Sequence, residues 1–278
     1  MAQAASYRAT SYLSGSALAV LIALATSTAA NAAACGSGDF KTWLASFKTE
    51  AAASGIPAAT LDASLNGLTP DPSVIQRDHG QKVFDQSFEQ FSGRMIPPRL
   101  SKGKIMLGSY GSLLERIEDA YGVPGEVLVA IWGLETDFGV NIGKFQTLRS
   151  LATLAYDCRR SDLFQSELMA ALRIIAHGDL QPADMHGAWA GEIGQTQLMP
   201  SSYEKYAVDF DENGRRDMLK SPADALASTA NFLKSKGWKK GEDWQPGTAN
   251  FDVIKQWNDS DIYARTIAAF ATQLTHNE

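Results

Sequence analysis

The sequence predicts a mainly α-helical protein, and three observations carry that prediction. Apolar residues recur at the three- and four-residue spacing of a helix from Phe40 to near the C-terminus. Strict period-two alternation is scarce, and Gly and Pro fall between the periodic stretches as stops. A hydrophobic content of 45% over 278 residues supplies a substantial core and excludes a disordered chain.

Phe40, Trp43, Leu44 and Phe47 mark the first helix, which Gly55-Ile56-Pro57 breaks. Leu61, Leu65 and Leu68 mark a second that runs to Pro70. Val83, Phe84, Phe88 and Phe91 mark a third, ending before Ile96-Pro97-Pro98. Longer helices are predicted over 99–121, 124–137, 161–177, 221–236 and 260–274. In the second of these, Pro124 suits a first helical turn because its missing N–H costs nothing there, and Gly139 is a natural stop. From Gly178 to Ser221 the pattern changes to Gly, Asp and short polar residues. Such a loop-rich insert on a helical scaffold is where binding groups are commonly placed. Neither an internal repeat nor a low-complexity linker interrupts the chain.

The N-terminus carries Arg8, the apolar stretch from Ala17 to Ala25, and a small-residue tract through Ala34. These are the three parts of a secretory signal peptide over residues 1–32, with Ala30-Asn31-Ala32 as the small-x-small cleavage pattern. The apolar part is too short for a comfortable membrane span, so an exported, periplasmic protein is expected. Cys35 follows directly and allows two readings. One is lipidation, the only route by which the sequence implies a membrane partner, although Ala32 stands where a lipidation signal usually has Leu. The favoured one is a disulfide to Cys158, the only other cysteine, which an oxidising compartment permits. A net charge of −6, with no basic cluster denser than Arg215-Arg216 or Lys239-Lys240, argues against nucleic acid as a partner.

The stretch from Tyr121 to Gly139 is the most informative. Glu135 shares a helix face with Ile131 and Trp132, its i−4 and i−3 neighbours, so its carboxyl is expected to sit among apolar and aromatic groups. Desolvation of that kind raises a carboxyl pKa and keeps the acid protonated near neutrality. Asp137, two residues on, points to a different face and is expected to serve the helix end.

Four ordered motifs resemble a known family: Gly133-Leu134-Glu135-Thr136-Asp137-Phe138-Gly139, Gly194-Gln195-Thr196-Gln197-Leu198-Met199-Pro200-Ser201-Ser202-Tyr203, Tyr206-Ala207-Val208-Asp209-Phe210, and Ala230-Asn231-Phe232-Leu233 before Gly237-Trp238. Together they are similar to the membrane-bound lytic transglycosylase B family of murein transglycosylases, over nearly all of the chain after residue 32. The resemblance implies a lysozyme-like α-rich core at about 110–278, preceded by additional N-terminal helices, within one catalytic domain over 33–278. It implies cleavage of the β-1,4 bond between N-acetylmuramic acid and N-acetylglucosamine in peptidoglycan glycan strands, giving a 1,6-anhydro product. Glu135 is then the single general acid and later the base. No cofactor is required, and no separate C-terminal wall-binding module is expected.

The same resemblance places Gln197, Asn258 and Tyr263 in the substrate site, with Gln195 and Tyr203 in the same motif and Phe232 where relatives usually have Tyr. Two departures follow. Ala188 stands where family members often have a Ser, a candidate hydrogen-bond partner for the catalytic Glu, and Glu192 stands where Ala is common. Glu192 is therefore expected in the cleft, either bonding Glu135 and raising its pKa or contacting substrate. The second departure is an acidic loop. Asp209, Asp211, Asn213, Arg215 and Asp217 follow the EF-hand pattern with Gly214 at its sixth position, so calcium is a candidate ligand. Lys220 occupies the twelfth position in place of a carboxylate, with Asp224 as the substitute if the loop is longer. His79, His177, His186 and His276 show no metal-ligand spacing. The runner-up functions are a hydrolytic muramidase and a weakly active peptidoglycan-binding scaffold, with other cell-wall enzymes as a second class of partner.

Overall fold

A computed structural model describes residues 34–36, 38–80 and 86–276. The expected signal peptide lies outside them. Among the described residues no helix is long and apolar enough to cross a membrane. The chain runs through α1 (Phe40–Ala53), α2 (Ala58–Leu65), α3 (Pro72–His79), α4 (Phe88–Met95), α5 (Pro97–Ser109), α6 (Gly111–Tyr121) and α7 (Gly125–Thr136). It continues through β1 (Phe145–Gln146), α8 (Thr147–Tyr156), α9 (Ser161–His177), β2 (His186–Gly187), α10 (Pro200–Tyr206), α11 (Pro222–Ser235), α12 (Ala249–Trp257) and α13 (Asp261–Thr275).

The expected mainly α architecture is present, and α7 is its axis. Every residue from Val127 to Leu134 is buried, which fits a helix apolar all round rather than along one stripe. Helices α13, α5, α11 and α6 pack around it, while α1, α2 and α3 pack with α8 and α9 beside them. Asp39, Asp71, Ser87, Ser221, Thr248 and Ser260 each cap a following helix by accepting a backbone N–H. Ser87 and Gln90 form a capping box, so α4 begins there; Val83 and Phe84 lie outside the described residues.

Several expected boundaries change. The helix predicted over 99–121 is two helices, broken at Tyr110, whose φ of −108° and ψ of 12° leave the helical region. Gly108 and Gly111 flank that break and weaken helix propensity on both sides of it. The second helix stops at Leu65, so Leu68 lies beyond it, past Gly67 at φ +77°. Helices α3, α8, α10 and α12 were not anticipated. The Cys35–Cys158 disulfide is formed, with the two Cα atoms 5.1 Å apart. It joins the start of the described chain to the turn between α8 and α9.

Candidate active site

Glu135 occupies the last turn of α7, where the intrahelical bonds run out. The helix closes on three successive left-handed residues, Asp137 (φ 52°), Phe138 (φ 62°) and Gly139 (φ 78°). Backbone N–H groups of Asp137 and Phe138 return to the carbonyls of Gly133 and Trp132. Asp137 points away from the cleft: it pairs with Arg99 at 2.7 Å and accepts from the Asn141 amide at 2.7 Å.

The carboxyl of Glu135 faces a cleft of about 490 Å³, lined also by Ala188, Glu192, Gln197, Phe232, Gln256, Trp257 and Asn258. The Trp257 indole N–H donates to Glu135 Oε1 at 3.0 Å, and the Tyr263 hydroxyl also bonds the carboxyl. Burial nevertheless dominates and pushes the Glu135 pKa up to about 7, the two bonds opposing it and the charge of Glu192 adding to it. Glu192 and Glu135 share the cleft without a direct hydrogen bond among the described residues. Burial raises the Glu192 pKa as well, and its Oε2 finds no hydrogen-bond partner among the described residues. The loop bearing Glu192 folds back tightly, Ala188 N–H donating to the Glu192 carbonyl at 3.1 Å. A Cβ on Gly187 would lie 1.8 Å from that carbonyl oxygen, so only Gly permits the turn.

Gln197, held at φ 55°, spends both amide hydrogens on the backbone carbonyls of Ile142 (3.1 Å) and Gly194 (2.8 Å). Its side-chain oxygen is left as the acceptor it presents to the cleft. Phe232 sits edge-on to Trp257 (5.2 Å) and to Tyr206 (4.9 Å), an aromatic wall that fixes the indole against Glu135. A second cavity of about 220 Å³, lined by Phe91, Ile262 and Tyr263, shares Asn258 with the first.

Glu192, Gln197, Phe232 and Asn258 thus line one cleft with Glu135, and Tyr263 touches Glu135 from the next cavity. Two expected substrate residues are elsewhere. Gln195 is 5% exposed and Tyr203 is fully buried, and neither lines the cleft. Both sit in the motif after Gly194, from which Gln197, Leu198, Met199 and Ser202 line the cleft while Gln195 and Tyr203 pack into the core. Trp257 was the missed residue. Its place before Asn258 was visible in the sequence, but its indole N–H meets a carboxyl 122 residues earlier.

In the acidic loop, carboxylate oxygens of Asp209, Asp211 and Asp224 lie within 4.8 Å of one another. Asp224 is buried at the start of α11 and supplies the third carboxylate that Lys220 does not; Lys220 instead faces Asp184 at 3.3 Å. Asn213 and Asp217 stand outside this set: Asn213 Oδ1 accepts from Arg215 N–H (3.1 Å), and Asp217 Oδ1 from Leu219 (3.1 Å) and Lys220 (3.0 Å). Arg215 brings no oxygen from its side chain. Burial and the neighbouring Asp211 hold the Asp224 pKa up. These carboxylates also accept protein hydrogen bonds, Asp209 from Asn213 and Gly214 N–H and Asp224 from Phe210 and Asp217 N–H, and their oxygens are of the type that divalent cations take as ligands.

A family model described as "Transglycosylase SLT domain" matches residues 39–249. Over 149 residues the chain is 40% identical to membrane-bound lytic murein transglycosylase B of Escherichia coli (strain K12), a stretch that is 53% of this chain and 41% of that protein. The chain therefore spans about two fifths of that curated relative's length. Among solved structures, SltB3 from Pseudomonas aeruginosa in complex with NAG-NAM-pentapeptide superposes with a TM-score of 0.82 at 32% identity, covering 86% of this chain and 80% of that one. The Escherichia coli lytic transglycosylase SLT35, solved in complex with calcium, gives 0.74 at 25% identity, covering 84% and 92%.

Proposed function

This chain belongs to the transglycosylase SLT domain family, and we propose that it is a peptidoglycan lytic transglycosylase in which Glu135 performs both proton transfers. The observation that carries the reading is the desolvated carboxyl of Glu135, raised to about 7 by burial and facing a cleft large enough for sugar rings. Protonated near neutrality, Glu135 donates to the glycosidic oxygen as the bond from C1 of N-acetylmuramic acid to the N-acetylglucosamine O4 breaks. As carboxylate it then takes the proton of the muramic acid 6-hydroxyl while O6 bonds to C1, closing the 1,6-anhydro ring. The proton lost from O6 balances the one given to O4, and no water enters.

Trp257 and Tyr263 support the second step, because their hydrogen bonds favour the charged form that must act as base. The attacking hydroxyl belongs to the substrate, so effective concentration replaces a positioned water. Gln197, with only its oxygen open, accepts from a sugar hydroxyl or an acetamido N–H. Glu192 is the second carboxyl that a hydrolytic muramidase would need as base, whereas attack by the substrate's own hydroxyl needs only Glu135. SltB3, the structural relative, was solved with a glycan-peptide ligand, which supports peptidoglycan as the substrate class.

Asp209, Asp211 and Asp224 would hold a calcium ion that neutralises the loop and plays no part in proton transfer. Residues 1–32 would direct export to the periplasm, leaving 33–278 as the catalytic domain. The test is mass spectrometry of the products released from purified peptidoglycan by residues 33–278 and by Glu135→Gln. Anhydro-muropeptides that vanish in the variant are expected. Reducing-end products would overturn the mechanism in favour of hydrolysis, and binding without release would favour a scaffold.

A further inference from the structure

We propose that Gln195 is a positioning residue for Glu135, holding the end of α7 through Trp132 and Thr136 without touching the glycan; the proposal rests on Glu135 being the proton-transfer group. Its four polar atoms are all engaged. Oε1 accepts from the Trp132 indole N–H at 3.1 Å, and Nε2 donates to the Leu219 carbonyl at 3.2 Å. The backbone N–H donates to the Met218 carbonyl at 2.9 Å, and the backbone carbonyl accepts from the Thr136 hydroxyl at 2.5 Å.

Trp132 and Thr136 bracket Glu135, one turn before it and one residue after it. The Trp132 indole is further fixed edge-on against Tyr110 (5.4 Å) and Phe138 (5.8 Å). The Thr136 hydroxyl in turn accepts from the Gly139 N–H at 2.9 Å, tying down the left-handed exit from the helix. A Cβ on Gly139 would lie 2.5 Å from Gln195 Oε1, so the Gly closing the Glu135 motif lets this amide pack close, in addition to meeting its φ of +78°. Two segments distant in sequence thus specify each other.

The consequence for chemistry follows from where Glu135 sits. The last turn of a helix lacks the hydrogen bonds that fix its interior, so tertiary clamps set the carboxyl's direction. Proton transfer tolerates little misplacement, and an error near 1 Å costs about 100-fold in rate. The loop that begins at Gly194 also carries Gln197 into the cleft, and Thr229 Oγ1 bonds Thr196 Oγ1 at 3.0 Å between the two glutamines. One short loop therefore orients the acid and one of its substrate contacts together.

The test compares Gln195→Met, which keeps length and loses the amide, with Gln195→Glu, Thr136→Val and Glu135→Gln. Rates are expressed per folded molecule, with thermal unfolding measured in parallel. Gln195→Met is expected to lower kcat about 10- to 100-fold, to change KM less than about threefold, and to shift the pH profile. Gln195→Glu is expected to recover relative to the unsubstituted protein as pH falls, because a protonated acid reproduces both the acceptor for Trp132 and the donor to Leu219. Unchanged kcat and pH profile in Gln195→Met, whatever its melting temperature, would overturn the proposal. Should that variant not fold, a pH-independent ratio for Gln195→Glu would overturn it. Retained activity in Glu135→Gln would instead remove the reading on which it rests.

Discussion

Two desolvated carboxyls in this molecule have opposite fates. Asp78, at the end of α3, is 1% exposed and is gripped by the Arg159 guanidinium at 2.5 and 2.6 Å and by Arg160. The bonds from Arg159, with Arg160 beside it, hold its pKa below the usual carboxylate range. Glu135 is desolvated too, yet its donors, Trp257 and Tyr263, are neutral, and the charge acting on it is that of Glu192, of its own sign. Burial alone does not make a proton-transfer group. A buried carboxylate with a cation fastens α3 to the turn between α8 and α9, whereas one without a cation keeps its proton near neutral pH.

The largest expected effect is on Glu135→Gln, which should lose at least about 1,000-fold in peptidoglycan cleavage while remaining folded. The same variant should be more stable than the unsubstituted protein at alkaline pH. The folded pKa of about 7 lies above the ordinary 4.5, so the folded state holds the proton more tightly. That contribution to stability is fully present below about pH 4.5 and is lost as pH rises through 7. Denaturant unfolding should show a difference on the order of 3 kcal/mol at pH 8 and almost none at pH 4. Asp78→Asn should reverse the pattern, losing about 2 kcal/mol of stability at pH 7, with kcat per folded molecule unchanged. Because the Asp78 pKa is lowered from 3.8, its contribution is present above that pH and fades as the solution is acidified.

Smaller substitutions sharpen the contrast around Glu135 itself. Trp257→Phe removes a bond to the charged form, so the alkaline limb of kcat/KM should move to higher pH. Glu192→Gln removes a repelling charge, so the same limb should move to lower pH. Opposite shifts of one limb separate the two causes, and each rate loss should be about tenfold or less. If Glu192→Ala leaves both rate and pH profile unchanged, Glu192 has no role in the cleft. The smallest effect is expected from calcium. It should raise the melting temperature by a few degrees, and Asp224→Ala should abolish the rise, with cleavage by the folded protein unaffected.

Where helices carried a clear stripe between strong stops, the sequence was legible: 161–177 coincides with α9, and 221–236 and 260–274 lie within one residue of α11 and α13 at each end. Helix α8 is ten residues long and lacks a side-chain N-cap, so no stop signal marked its start. Helix α10 is only seven residues long inside the loop-rich insert. Glu135 was legible because an ionisable group in an apolar helix is a local anomaly. Gln195 was misplaced because sequence adjacency to Gln197 suggested a shared role, while the tight turn through Gln197 sends the two amides to different sides. The bonds from Trp257 to Glu135 and from Phe210 to Asp224 link residues 122 and 14 positions apart, and packing, not pattern, creates them.

The central claim is that Glu135 is a desolvated acid poised near neutrality, and carboxyl-carbon NMR titration of glutamate-labelled protein tests it most directly, with Glu135→Gln assigning the resonance. The account predicts a midpoint near pH 7 that falls in Glu192→Gln and rises in Trp257→Phe. A midpoint near the ordinary 4.5, unmoved by either substitution, would contradict it.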